Sequence, residues 1–175
     1  MDKYSLFIAS GNIPEMEKIA GMIQSVWPRL GLALSSSGKE AFFYLKKCDK
    51  EGRPSAIMLD FMLPDINGLD LLSVVKQSEK YRNVPVLVMS GTYTEPADRA
   101  SVLFGGAEAF IQKPDLNGLE PVPDNVEWAV SFCKELAYHL KISYDTLRAQ
   151  SSKKKIKKAM IFRTYKIRKK NLKKN

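Results

Sequence analysis

Five short apolar runs, each followed by a stretch of helical periodicity, constrain this chain more than any other feature. The runs are Leu6-Phe7-Ile8-Ala9, Leu30 to Leu34, Ala56-Ile57-Met58-Leu59, Pro85-Val86-Leu87-Val88-Met89 and Ala109-Phe110-Ile111. They have strand length, and near-continuous apolar character marks strands covered on both faces. After the first run comes a helical pattern with Pro14 in its first turn and Met16, Ile19, Ala20, Ile23 and Trp27 on one face, stopped by Pro28. Ser37 and Glu40 form a capping-box pattern ahead of Ala41, Tyr44, Leu45 and Cys48. Further helical patterns carry Leu71, Leu72, Val74 and Val75, then residues 96–104, then Ala129, Phe132, Cys133, Leu136 and Leu140. The alternation predicts an α/β fold, a doubly wound five-stranded parallel sheet flanked by five helices and joined by right-handed crossovers. Ligands of such sheets gather at the carboxyl ends of the strands, which here hold Ser10, Asp60, Ser90 and Lys113.

The formal charge of +9 divides sharply along the chain. Residues 151–175 hold twelve Lys or Arg and no acidic residue, which leaves sixteen basic against nineteen acidic residues in 1–150, a net of −3. We therefore expect a folded domain over 1–140, a possible continuation of the last helix over 141–150, and a flexible basic tail over 151–175. In the tail, Met160-Ile161-Phe162, Tyr165 and Ile167 are interleaved with the cations, a pattern that suits nucleic-acid phosphates or an anionic membrane face equally well. Two distant cysteines, Cys48 and Cys133, do not make a disulfide scaffold, and both are expected in the core. His139 is the only histidine, so neither a histidine-based triad nor a His-rich metal site is expected. Neither a P-loop nor a dinucleotide fingerprint is present. The start resembles no secretory leader and no apolar run reaches bilayer length, so the expected setting is soluble, reducing and cytoplasmic.

Asp60-Phe61-Met62-Leu63-Pro64-Asp65-Ile66-Asn67-Gly68 puts a carboxylate at the mouth of the sheet, then a proline turn, then Asn-Gly opening a helix. Ser90-Gly91 ends the next strand with a hydroxyl, and Lys113-Pro114 ends the last with an ammonium. A carboxylate, a hydroxyl and a cation on neighbouring strand ends make a phosphoryl or anion site. On these motifs, together with Gly106-Ala107-Glu108-Ala109-Phe110-Ile111-Gln112-Lys113-Pro114, the chain resembles a response-regulator receiver domain from about Lys3 to Pro114, and on to Leu140 with the last helix. The resemblance implies a flavodoxin-like strand order. It makes Asp60 the phosphoacceptor, Lys113 the phosphate contact, and Ser90 and Phe110 the switch pair. It also implies a signalling partner, a histidine kinase or a downstream protein.

One departure bears on function. Receivers carry two acidic residues just after the first strand, where this chain has Ser10-Gly11. Asp60 and the Met62 carbonyl remain as matching metal ligands, with Glu15 and Glu17 as outlying carboxylates on the next helix. Mg²⁺, usually held by one or two carboxylates with phosphate and water, would thus bind weakly or not at all. One carboxylate against one lysine is a neutral site in which Asp60 and Lys113 pair directly. The favoured expectation is a non-enzymatic pseudo-receiver that docks to a partner. The alternatives are a conventional phospho-accepting receiver and a nucleic-acid or anionic-membrane binder acting through the tail. Hydrolysis is disfavoured because no general base accompanies Asp60.

Overall fold

The computed structural model describes residues 4–48, 52–91, 95–116 and 123–145. Strands and helices alternate as β1 (Tyr4–Ala9), α1 (Ile13–Val26), β2 (Leu30–Ser35), α2 (Gly38–Lys47), β3 (Ala56–Asp60), α3 (Gly68–Gln77), β4 (Val86–Ser90), α4 (Pro96–Phe104), β5 (Ala109–Gln112) and α5 (Pro123–His139). All strand pairs are parallel and the order is β2-β1-β3-β4-β5, the doubly wound arrangement expected from the alternation.

The period of two along each strand divides the core into two layers. Leu6, Ile8, Met58, Leu87 and Met89 meet Met16, Ile19 and Ile23 of α1 and Phe132, Cys133 and Leu136 of α5. Phe7, Ala9, Ile57, Leu59, Val86 and Val88 point the other way, against Ala41, Leu45, Leu71, Leu72, Val75 and Val102 of α2, α3 and α4. Burial pushes the Cys133 thiol up to about 12, so it is an apolar filler rather than a nucleophile. Cys48 instead stands half-buried at the C-cap of α2. Among the described residues, no helix is long and apolar enough to cross a membrane.

Local chemistry fixes where the helices start. Asn12 Oδ1 accepts from Glu15 N–H at 3.2 Å, Ser37 Oγ from Glu40 N–H at 3.1 Å, and Asn67 Oδ1 from Leu69 N–H at 3.0 Å. The Ser37/Glu40 capping box closes one residue early, because Glu40 Oε2 accepts from the Ser36 amide and hydroxyl at 2.7 and 2.6 Å. The carboxylate of Asp65, in the β3–α3 loop, accepts from the Gly38 and Lys39 amides at 2.7 and 3.0 Å and so ties that loop to the start of α2.

The last helix does not run on unbroken over 141–150: α5 ends at His139, and the chain is helical again only at Tyr144 and Asp145, where this described stretch ends. Lys141 adopts φ 55°, its N–H donates to Tyr138 O at 3.0 Å, and Ile142 N–H donates to Ala137 O at 2.9 Å. This is a Schellman stop. Apolar spacing through Tyr144 continues because Ile142 and Tyr144 fold back onto the core, not because the helix goes on. Residues 146–175, with the expected basic tail, and 117–122 of the preceding loop lie outside the described residues. A non-glycine residue in the left-handed region costs about 1 kcal/mol. Lys141→Gly is therefore expected to raise the melting temperature by about 2–4 °C, and β-branched Lys141→Val to lower it, in thermal unfolding followed by circular dichroism.

Candidate functional site

The winding of the sheet reverses at β1, and the crevice this leaves opens over the carboxyl ends of β1 and β3. Asp60 ends β3 and is only 5% exposed. Its Oδ1 accepts from Met62 N–H at 3.3 Å, while Oδ2 accepts from Ser10 Oγ at 3.0 Å and from Lys113 Nζ at 2.6 Å. Ser10 is fully buried just past β1, and its hydroxyl also accepts from Asn12 N–H at 3.3 Å. Lys113 is positioned by its own amide, which donates to Ser90 O at 2.9 Å and prolongs the β4–β5 ladder by one bond. Ser90 is buried at the end of β4. Phe110 is half-buried and meets Phe61 edge-on, with ring centroids 6.3 Å apart.

Asp60, Lys113, Ser10 and Ser90 thus come together as the sequence suggests, and Glu15 joins them. Its Oε2 accepts from Lys113 Nζ at 2.8 Å. The expected neutral pair is therefore replaced by two carboxylates on one ammonium, net −1. The signal for Glu15 was its place three residues after the Asn12 cap, in the helical turn that sits directly over the strand ends. Glu17 is exposed and makes no ion pair among the described residues. Burial works against the charge on Lys113, but the hydrogen bonds and fields of Asp60 and Glu15 outweigh it and hold its pKa above the usual lysine value.

The mouth is also narrow. A Cβ on Gly68 would lie 2.5 Å from Asp60 O, so α3 can start this close to β3 only with glycine there. A Cβ on Gly11 would lie 2.9 Å from Pro64 Cδ, in a ring that cannot rotate away. Position 11 therefore cannot take an acidic side chain without a shift of the Asp60 loop. These donors suit Mg²⁺ poorly. Ser10 offers a neutral hydroxyl already committed to Asp60, Gly11 offers no side chain, and one oxygen of each carboxylate is held by Lys113. The side chain of Met62 points away into solvent, 66% exposed.

The Asp60–Lys113 pair is buried, with both side chains 8% exposed, so the small value of a surface pair does not apply. Lys113→Met strands two carboxylates and is expected to cost about 3–5 kcal/mol in urea unfolding at neutral pH. Because the folded pKa of Lys113 is raised, its contribution is complete below about 10.5 and fades as pH rises through the folded value. The gap between wild type and Lys113→Met should be constant from neutral pH to about 10.5 and narrow above it.

Residues 16–120 match the family model of the response regulator receiver domain, a span that contains Asp60, Ser90, Phe110 and Lys113 and starts after Ser10-Gly11. A two-component response regulator of rice, Oryza sativa subsp. indica, is 35% identical over 96 residues, covering 55% of this chain and 61% of the relative. The polar-differentiation response regulator DivK of Brucella anthropi is 32% identical over 65 residues, covering 37% of this chain and 52% of DivK. The chain therefore spans little more than half the length of these relatives. Among solved structures, the chemotaxis response regulator CheY4 of Vibrio cholerae superposes with a TM-score of 0.61 over 76% of this chain and 98% of that one, at 17% identity, a likeness of fold. With its sheet order, its strand-end residues and the family match over more than half its length in agreement, the chain belongs to the response regulator receiver domain family.

Proposed function

We propose that this chain serves two-component signalling in the cytoplasm as a pseudo-receiver. In this reading it docks to a histidine kinase or a downstream protein, and Mg²⁺-dependent phosphorylation of Asp60 is weak or absent. The observation that carries the reading is the buried Lys113 ammonium shared between Asp60 Oδ2 at 2.6 Å and Glu15 Oε2 at 2.8 Å. To accept a phosphoryl group, Asp60 must present an oxygen lone pair to phosphorus while cations neutralise the phosphoryl oxygens. Here Oδ2 already accepts from Lys113 and Ser10, and the cation that would meet the phosphoryl group is neutralised by two acids. Lys113 is thereby turned from a phosphate contact into a structural cation. Ser90 and Phe110 keep the switch positions of the family but lack the event that would move them. The role is non-enzymatic, and the state presented to a partner is constant.

Incubation with a small-molecule phosphodonor and Mg²⁺ should leave the intact mass unchanged or only slightly populated at the phosphorylated value. Stoichiometric labelling that disappears in Asp60→Asn would overturn the reading. Restoring the missing charge tests the same idea from the other side. Ser10→Asp should lower the melting temperature without metal, since a third carboxylate then faces one lysine, and should recover it with Mg²⁺. Gly11→Asp should cost about 1–3 kcal/mol with or without metal, because of the Pro64 ring. Calorimetry in which Ser10→Asp gains no Mg²⁺ affinity would show that the missing carboxylates are not what weakens the site.

A further inference from the structure

The end of the domain opposite the Asp60 site, where every strand starts and every helix finishes, has its own chemistry. First turns carry acids, Glu15, Glu40, Asp70 and Asp98, and last turns carry Lys46, Lys47 and Lys76. The helix macrodipole explains that much. It does not explain the further cations held in the loops at the same end. Arg53 Nη1 donates to Lys80 O at 3.1 Å, and Lys80 Nζ and Tyr81 Oη donate to Leu45 O at 3.4 and 2.6 Å. These bonds press the turn after α3 against the last turn of α2, so Lys46, Lys47, Arg53, Lys80 and Arg82 form one cluster. Four of the five are exposed, and Lys80 lies over the Tyr81 ring at 5.0 Å.

Among the described residues two acids lie near this cluster, and Asp49 and Glu51, between Lys47 and Arg53 in sequence, fall outside the described residues. Glu79 is exposed, and Glu108 is taken up by Lys76 at 2.8 Å and by the Val86 amide at 2.6 Å. At the same end α4 finishes with Phe104, 97% exposed, and α5 turns out Tyr138, 75% exposed, just before Lys141. From here the chain leaves the described region at Asp145, and the twelve cations of 151–175 follow.

Cations and exposed aromatic side chains at one end of a domain fit an anionic interface. The 97% exposed Phe104 ring favours a lipid interface, whose apolar layer it can enter, over a nucleic-acid duplex. We propose that this end of the folded domain seats on an anionic phospholipid surface, with Lys46, Lys47, Arg53 and Arg82 facing headgroups and Phe104 entering the interfacial layer. Seated this way, the Asp60–Lys113 mouth faces away from the bilayer and stays open to a protein partner. The proposal uses the opposite end of the sheet from the docking reading, so either can fail without the other.

The test is co-sedimentation of the full chain with phosphatidylcholine vesicles, with and without phosphatidylserine, at low and at physiological salt, beside a duplex DNA binding arm. Binding to the phosphatidylserine vesicles only, weakened by salt, is expected. With the tail intact, Lys46→Gln, Lys47→Gln and Arg82→Gln together should weaken it on the order of 100-fold, about fivefold for each cation lost. Phe104→Ser should weaken it by about tenfold or more. All four side chains are exposed, and unchanged thermal melts will confirm that the variants fold. If these variants bind vesicles like wild type and only a cut after Gln150 abolishes binding, the tail acts alone and the proposal falls. It also falls if duplex DNA is bound in preference to vesicles, or if no vesicle is bound even at low salt.

Discussion

A buried ammonium needs acceptors, and the way Lys113 obtains them organises the functional end of this molecule. The cation stands at the end of β5, across the sheet from β1, and only the parallel winding brings it within reach of Asp60 and of the first turn of α1. With 8% of its side chain exposed, water cannot solvate it adequately, so desolvation must be offset by the two carboxylates. Once they do so, β1, β3, β5 and α1 are joined at one point. The same join commits Asp60 Oδ2 to Lys113 and Ser10. The ion triad thus ties the packing of this end of the sheet to the state of the Asp60 carboxylate.

The loop after Asp60 closes the mouth from the other side. Asn67 caps α3, Gly68 lets that helix begin against the Asp60 carbonyl, and Asp65 reaches across to the first amides of α2. Burial alone would raise the pKa of Asp65, but the Lys39 and Gly38 amides and the Ser37 hydroxyl reverse this and leave it below the usual carboxylate value. The bond to α2 is therefore complete above about 3.8 and is lost as pH falls through the lower folded value. Held this way, the loop sets Pro64 against Gly11 and bars a side chain there. Loss of the acidic pair and the shape of the loop are thus mutually consistent features.

Much of this was legible in the sequence because the fold rests on periodicity. Phe7 and Ile8, or Ile57 and Met58, had to face opposite layers, and those layers had to be helices because the strands had no polar face. Asp60, Ser90 and Lys113 were legible because strand ends in such a sheet converge. Glu15 was under-weighted because linear spacing counts it as a helix-surface acid, and only the angle at which α1 leaves β1 turns it onto Lys113. The end of α5 was misread for a related reason. Ile142 and Tyr144 repeat the apolar spacing, while the stop is made by the backbone of Lys141, a residue type that carries no glycine signal.

The most direct measurement is nitrogen-detected NMR of the Lys113 ammonium while Mg²⁺ is added. A cation locked between Asp60 and Glu15 exchanges its protons slowly. Its resonance should be visible in the metal-free protein, should weaken in Glu15→Gln, and should stay in place as Mg²⁺ rises to saturating levels. A resonance that is absent without metal, or one that shifts and broadens as Mg²⁺ displaces the lysine from Asp60, would contradict a site held in one state by its own ion triad.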